Sequence, residues 1–235
     1  MVELLLNEPN IDVNKQGEFG FTALRCAALI GSKEIVRLLL KFPNIDVNIQ
    51  DIDGATALMC ASEDDHIEIF KMLLDQPNID INIQTNIGNN ALIYAVQNCH
   101  KEIVKLLLNH PKIEVNRQDD QGFTALITAL SEFIGTRNQI EIIKLLLNHP
   151  KIDVNLKDIN GSSALIYAIR QNNREIIELL LNHPKIDVNL QTDNGANALT
   201  YTAQICNKEI MKLLLNHPNI DVNRKDSGKC TALII

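Results

Sequence analysis

The chain has 235 residues, 46% of them hydrophobic but only 4% aromatic, with no tryptophan and a formal charge of −7 at neutral pH. That acidic balance argues against a general attraction to nucleic acid or acidic membranes, and no segment is both long and apolar enough to be inserted in a bilayer. Met1 runs straight into ordinary sequence with no basic stretch leading into an apolar one, so no leader is visible and the expected location is intracellular and cytoplasmic.

Repetition begins at once. An Ile-(Asp/Glu)-(Val/Ile)-Asn element starts at Ile11, Ile45, Ile79, Ile113, Ile152, Ile186 and Ile220, giving steps of 34, 34, 34, 39, 34 and 34. Glycine keeps the same beat at Gly20, Gly54, Gly88, Gly122, Gly161 and Gly195, each followed within a few residues by an Ala-Leu pair. Residues that recur at every copy belong to a frame, since each unit of a short repeat touches only its neighbours. A functional site needs its special residues once.

Residues 51–84 show what one copy builds. Asp51 and Gly54 predict a turn, Thr56 a cap, and Ala57-Leu58-Met59-Cys60-Ala61 the start of a first helix. After the polar break Glu63-Asp64-Asp65-His66, the run from Ile67 to Leu74 predicts a mostly buried second helix. Glu68 falls in its first turn, as do Glu34, Glu102, Glu141, Glu175 and Glu209 in the other copies, where the helix dipole favours a carboxylate. The eleven residues Leu-Leu-Leu-Asn-His-Pro-Lys-Ile-Asp-Val-Asn, identical at 145–155 and 179–189, predict a helix terminator joined to a hairpin arm. Asn148 is expected to close the helix in the left-handed conformation, and Pro150 prevents its continuation. Ile152 and Val154 are expected to turn inward.

The pattern Asp-x-x-Gly-x-Thr-x-Leu, then Glu-Ile-Val-x-Leu-Leu-Leu, then Asp-Val-Asn resembles the ankyrin repeat. The resemblance covers essentially the whole chain. It implies an all-α, ankyrin-repeat solenoid of stacked helix-turn-helix pairs with projecting β-hairpin loops. One repeat domain would occupy 1–235, with a half repeat at 1–16, full repeats at 17–50, 51–84, 85–118, 119–157, 158–191 and 192–225, and a half repeat at 226–235. Three departures stand out. The Thr-Pro-Leu-His common in the family is replaced by Thr-Ala-Leu-Arg at 22–25 and similar runs. A Pro-Lys-Ile or Pro-Asn-Ile run lengthens the period to 34, and the fourth repeat carries five extra residues within 133–140.

His110, His149, His183 and His217 form a ladder, but rungs about 8–10 Å apart cannot share an ion that needs ligands about 2 Å away. They read as helix terminators near the negative helix end. Cys26, Cys60, Cys99, Cys206 and Cys230 are odd in number and read as buried, reduced thiols. No phosphate loop, nucleophile elbow or Cys/His metal spacing is present. The expectation is therefore no enzyme, no catalytic residue, no metal and no cofactor.

What varies from copy to copy is the surface that, by resemblance, binds proteins: the concave face and the hairpin tips. Phe19, Phe21, Leu29, Ile30 and Ile52 cluster in the first two repeats, as an anchor for a protein partner requires. Glu63 and Asp64 would form an acidic rim, and Asp53 joins the set as a tip residue. Ile87, Phe123 and Phe133 extend the set along later repeats. The alternative for these apolar side chains is local packing against the frame. The expected function is a protein-protein interaction module or scaffold, with no nucleic acid, no membrane insertion and no small-molecule substrate. Two alternatives stay open: a substrate-recruiting segment of a larger enzyme such as a kinase or ubiquitin-ligase component, since the chain starts and stops inside a repeat, or a tether between membrane proteins and cytoskeleton.

Overall fold

The computed structural model describes residues 5, 8, 10–131 and 135–234. Among them the chain forms twelve α-helices and no strand, in two compact units, Met1–Glu114 and Val115–Ile235. The first unit contains α1 (Ala23–Leu29), α2 (Lys33–Leu39), α3 (Ala57–Glu63), α4 (Ile67–Leu74), α5 (Ala91–Gln97) and α6 (Lys101–Leu108). The second contains α7 (Ala125–Ser131), α8 (Arg137–Leu147), α9 (Ala164–Arg170), α10 (Arg174–Leu181), α11 (Ala198–Gln204) and α12 (Lys208–Leu215). Within each unit, successive helix pairs stack, first helix on first helix and second on second. None of these helices is long and apolar enough to cross a membrane.

Each first helix opens on a side-chain cap. Thr22, Thr56 and Asn90 accept the backbone N–H of Arg25, Met59 and Ile93, and Asn197 accepts that of Thr200, each satisfying one amide that the helix cannot. Ser163 is the exception, with no such bond. Most first helices are largely buried, α1 less so: α5 hides Ala91, Leu92, Ile93, Ala95 and Val96, while α1 hides only Leu24, Ala27 and Ala28. Small and branched side chains there let flanking layers approach closely. The second helices bury one stripe and carry Glu and Lys outside, with i,i+3 pairs such as Glu102–Lys105 at 2.8 Å. Such exposed pairs, screened by solvent, contribute little to stability.

Helix ends depart from expectation in an informative way. Asn148 is right-handed (φ −81°, ψ −8°), and α8 is closed instead by successive turns from His149 N–H to Leu146 and from Ile152 N–H to His149. The proline two residues on already stops the helix, so no left-handed residue is needed. Left-handed closers sit at the ends of the first helices: Gly31, Asp65, Cys99 and Asn172. There, the amides of Ser32, His66, His100 and Asn173 reach back to Ala27, Ala61, Ala95 and Ala168, the six-to-one bond of a Schellman cap. Glu141 also departs: α8 starts a turn earlier, on Thr136 accepting Gln139 N–H, so Glu141 is not in its first turn. Of the cysteines only Cys60 is buried; Cys26 and Cys206 are exposed, Cys99 and Cys230 half-buried. The buried-thiol expectation holds for one of five.

Ile152 and Val154 are buried. The asparagine after them does more than face a turn. Asn48 donates its amide to Asn78 O (2.7 Å) and accepts Asp80 N–H (2.9 Å), both in the next copy. Asn14 and Asn82 repeat this in the first unit, and Asn116, Asn155 and Asn189 in the second. A glutamine rung runs beside it, with Gln50 donating to Gly54 O and Gln84 O. The projecting loops are closed as hairpins by one reach, Asp51 N–H to Ala55 O, around a tight turn from Gly54 N–H to Asp51 O. No ladder extends from them beyond the isolated bridge Lys157–Ser163. Gly54 lies at φ +82°, and a Cβ there would come within 2.8 Å of Thr85 Cα, so the next loop's backbone occupies the space a side chain would need.

In the histidine ladder each ring accepts a backbone N–H through Nδ1, His149 from Lys151 and His183 from Lys185, both at 3.3 Å. That bond needs an unprotonated Nδ1. Partial burial, aided by Lys151 and Lys185, lowers the pKa of both rings. A folded pKa below the unfolded value of about 6.5 gives stability that is complete above that value and is lost as pH falls through the lowered folded pKa. Melting temperature should therefore fall as pH drops from about 7 toward 5, and a His149→Asn, His183→Asn double variant should show a flatter profile; identical profiles would remove these rings from the acid sensitivity. Asn155→Ala breaks both bonds to the next copy and should cost about 1–2 kcal/mol in urea unfolding. Asn148→Ala, an exposed helix end, should stay within about 0.5 kcal/mol.

Candidate functional site

The tips of the first unit are bonded to one another through their backbones. Ile52 N–H donates to Phe19 O (3.1 Å), Asn86 N–H to Asp53 O (2.8 Å), and the Asn86 side chain to Ile52 O (2.7 Å). This holds Phe19, Ile52 and Ile87 in one row, 53%, 59% and 60% exposed. A second row comes from the first-helix ends: Leu29 and Ile30 are exposed, as are Glu63 and Asp64 one layer on. His66 Nε2 lies 3.2 Å from Leu29 O, joining these two layers. A seven-residue helix is about 10 Å long, which sets the distance between the rows.

Phe19 is held in an unusual way. It lies in a short 3-10 turn, Glu18–Gly20, at φ 61° and ψ 14°, the left-handed region that bulky residues avoid. Such a backbone costs on the order of 1–3 kcal/mol and persists where neighbours over-determine it. Its carbonyl is taken by Ile52, and its ring meets Phe21 at 5.9 Å, tilted 46°.

Phe21 is half-buried, and behind it stands the Arg25 guanidinium, 3.9 Å from the ring centroid. Arg25 Nη2 lies 2.7 Å from Asp51 Oδ2, with the two side chains 13% and 0% exposed. Asp51 Oδ1 accepts Asp53 and Ala55 N–H, so this carboxylate both shapes its own tip and neutralises the neighbouring layer's cation. Arg25 occupies a slot that is Met59 and Ile93 in the next two copies. Its singularity was readable in the sequence; its partner was not. Cys60 is nearby, and burial pushes its thiol up to about 11, so it is an inert packing group.

The remaining predicted residues divide. Asp53 is exposed. Phe123, in the second unit, is half-buried and meets Tyr167 edge-on at 5.8 Å and 76°, so local packing accounts for it. Phe133 lies outside the described residues. Ile159, 57% exposed, is the second-unit counterpart of Ile52, in the same slot after the tip aspartate. In that unit the Tyr167 hydroxyl donates to Asp158 (2.7 Å); burial and that carboxylate raise the phenol's pKa.

Among the described residues, no group of His, Cys, Asp and Glu is arranged to hold a metal ion. A cleft beside the second-helix ends is lined by Lys144, His149, Pro150, His183 and Pro184, residues whose positions the helix terminators already explain.

Comparison with known proteins agrees with this geometry. A family model for ankyrin repeats, three copies, matches residues 1–85, 78–158 and 134–226. The crystal structure of EF0377, an ankyrin repeat protein, is 29% identical, with a TM-score of 0.75, over 88% of this chain and 100% of that one. An ankyrin repeat domain (ABAYE2397) from Acinetobacter baumannii AYE is 28% identical, with a TM-score of 0.70, over 77% of this chain and 91% of that one. No curated protein matches. With stacked helix pairs, latched loops and family matches covering most of its length, the chain belongs to the ankyrin repeat family.

Proposed function

We propose that this chain is a protein-binding scaffold whose contact surface is the tip row and the first-helix ends of its first unit. Ankyrin repeats are generally protein-protein interaction modules and typically non-catalytic. The observation that carries the reading to a place is the exposure of five large apolar side chains, Phe19, Leu29, Ile30, Ile52 and Ile87, on bonded neighbouring layers. Large apolar side chains exposed side by side on adjoining layers are what a protein contact uses. Asp53, Glu63 and Asp64 form the rim, and Phe123 serves packing. The repeat boundaries given above, with full repeats from 17–50 to 192–225, are part of the same proposal.

Because the three side chains are exposed, Phe19→Ala, Leu29→Ala and Ile52→Ala should together leave melting nearly unchanged, each within about 0.5 kcal/mol. Affinity capture from cell extract should recover a protein with the intact chain and lose it with this variant, an affinity drop of at least about tenfold. Equal recovery by a normally folded variant would remove this surface from the reading.

A further inference from the structure

The chemistry of the face restricts what can sit on it. Glu18, Asp53, Glu63 and Asp64 surround the apolar rows, and among the described residues none of the four has an ion-pair partner. Arg25, behind the tips, lies against the Phe21 ring and is paired with Asp51. Elsewhere in the unit the carboxylates at Glu34, Glu68 and Glu102 are each matched by a base one turn on. Glu18 and Asp53 stand at the tip row with the exposed Phe19 ring, and Glu63 and Asp64 at the row of first-helix ends; both a carboxylate and the face of a ring attract a guanidinium or ammonium.

We propose that the partner docks here through an extended segment in which Arg or Lys alternates with large apolar residues, a deepening that rests on the protein-binding reading above. Layers about 8–10 Å apart match about three residues of extended chain at 3.3 Å each, so a segment of some six to eight residues spans the Phe19, Ile52 and Ile87 tips (~3 layers). Apolar side chains of the segment cover Ile52 and Ile87. A basic one lies against Phe19 with Glu18 and Asp53 beside it. A second copy of this chain does not fit, because it would bring the same acids against these, and nucleic acid is repelled for the same reason.

The test uses the full chain to select from a phage-displayed library of random peptides of about twelve residues, with affinities of the recovered peptides measured by fluorescence anisotropy. Recovered sequences should combine Arg or Lys with apolar residues. Their binding should weaken about tenfold with Glu18→Gln and Asp53→Asn together, and fall as salt rises from about 0.05 to 0.5 M. A charge-matched control, Asp75→Asn and Asp193→Asn, should change it less than about twofold. Basic peptides bound equally by both double variants would overturn the proposal, since net charge alone would explain them. Recovery of neutral or acidic apolar peptides that lose binding with Phe19→Ala would overturn the basic segment while leaving the protein-binding surface in place. Failure to recover any peptide overturns a linear segment as the occupant.

Discussion

The stack depends on a two-sided hydrogen bond made by one carboxamide per layer. Asn48 gives its N–H to a carbonyl and takes an amide from the following copy, and five other asparagines do the same within their units. Only a side chain that is donor and acceptor at once can satisfy both groups. Aspartate could accept but not donate, and the aspartate two residues earlier is used for that: Asp46 Oδ1 accepts Asn48 N–H and orients it. The Asp-Val-Asn string is thus a mechanical part, with the carboxylate aiming the clamp, the valine anchoring it in the core and the asparagine engaging the next layer.

From that clamp the rest follows by distance. Layers held at one spacing bring successive loops so close that the loop glycine has no room for a Cβ, and the same closeness lets tip amides reach carbonyls of the preceding tip. The exposed rows of the first unit are a by-product of this regularity. Residues at corresponding slots are displayed at a fixed interval, so three isolated side chains in the sequence become a row.

Much of this was legible before any coordinates. A period, a cap before each Ala-Leu pair, inward Ile and Val and an outward Glu follow from local rules. What was not legible depended on competition between equally good local choices. Asn148 and Asp65 can both adopt left-handed geometry; Pro150 made it unnecessary at one, and the short turn between helices made it necessary at the other. Phe21 and Phe123 read as exposed anchors like Phe19, but a ring's fate depends on whether a neighbour can cover it, and Arg25 and Tyr167 do so. The glutamine rungs recur at the period of the clamp and were overlooked because a polar residue in a loop asks for no explanation until its partners are seen. The candidate surface was legible as a list of side chains, and its continuity came only from the bonds between layers.

The Arg25–Asp51 pair gives the first layers something the generic clamp does not: an address. Any copy could be exchanged for another as far as the asparagine clamps are concerned. Removing residues 51–84, however, would bring Thr85 to the place of Asp51, leaving the buried guanidinium without its counter-charge, a defect far costlier than a missing surface bond. In the second unit the tyrosine that serves Asp158 comes from the same copy, so that carboxylate carries its own partner with it. The first two copies are therefore joined as an ordered couple, and recombination that shuffles repeats would tend to move them together or not at all.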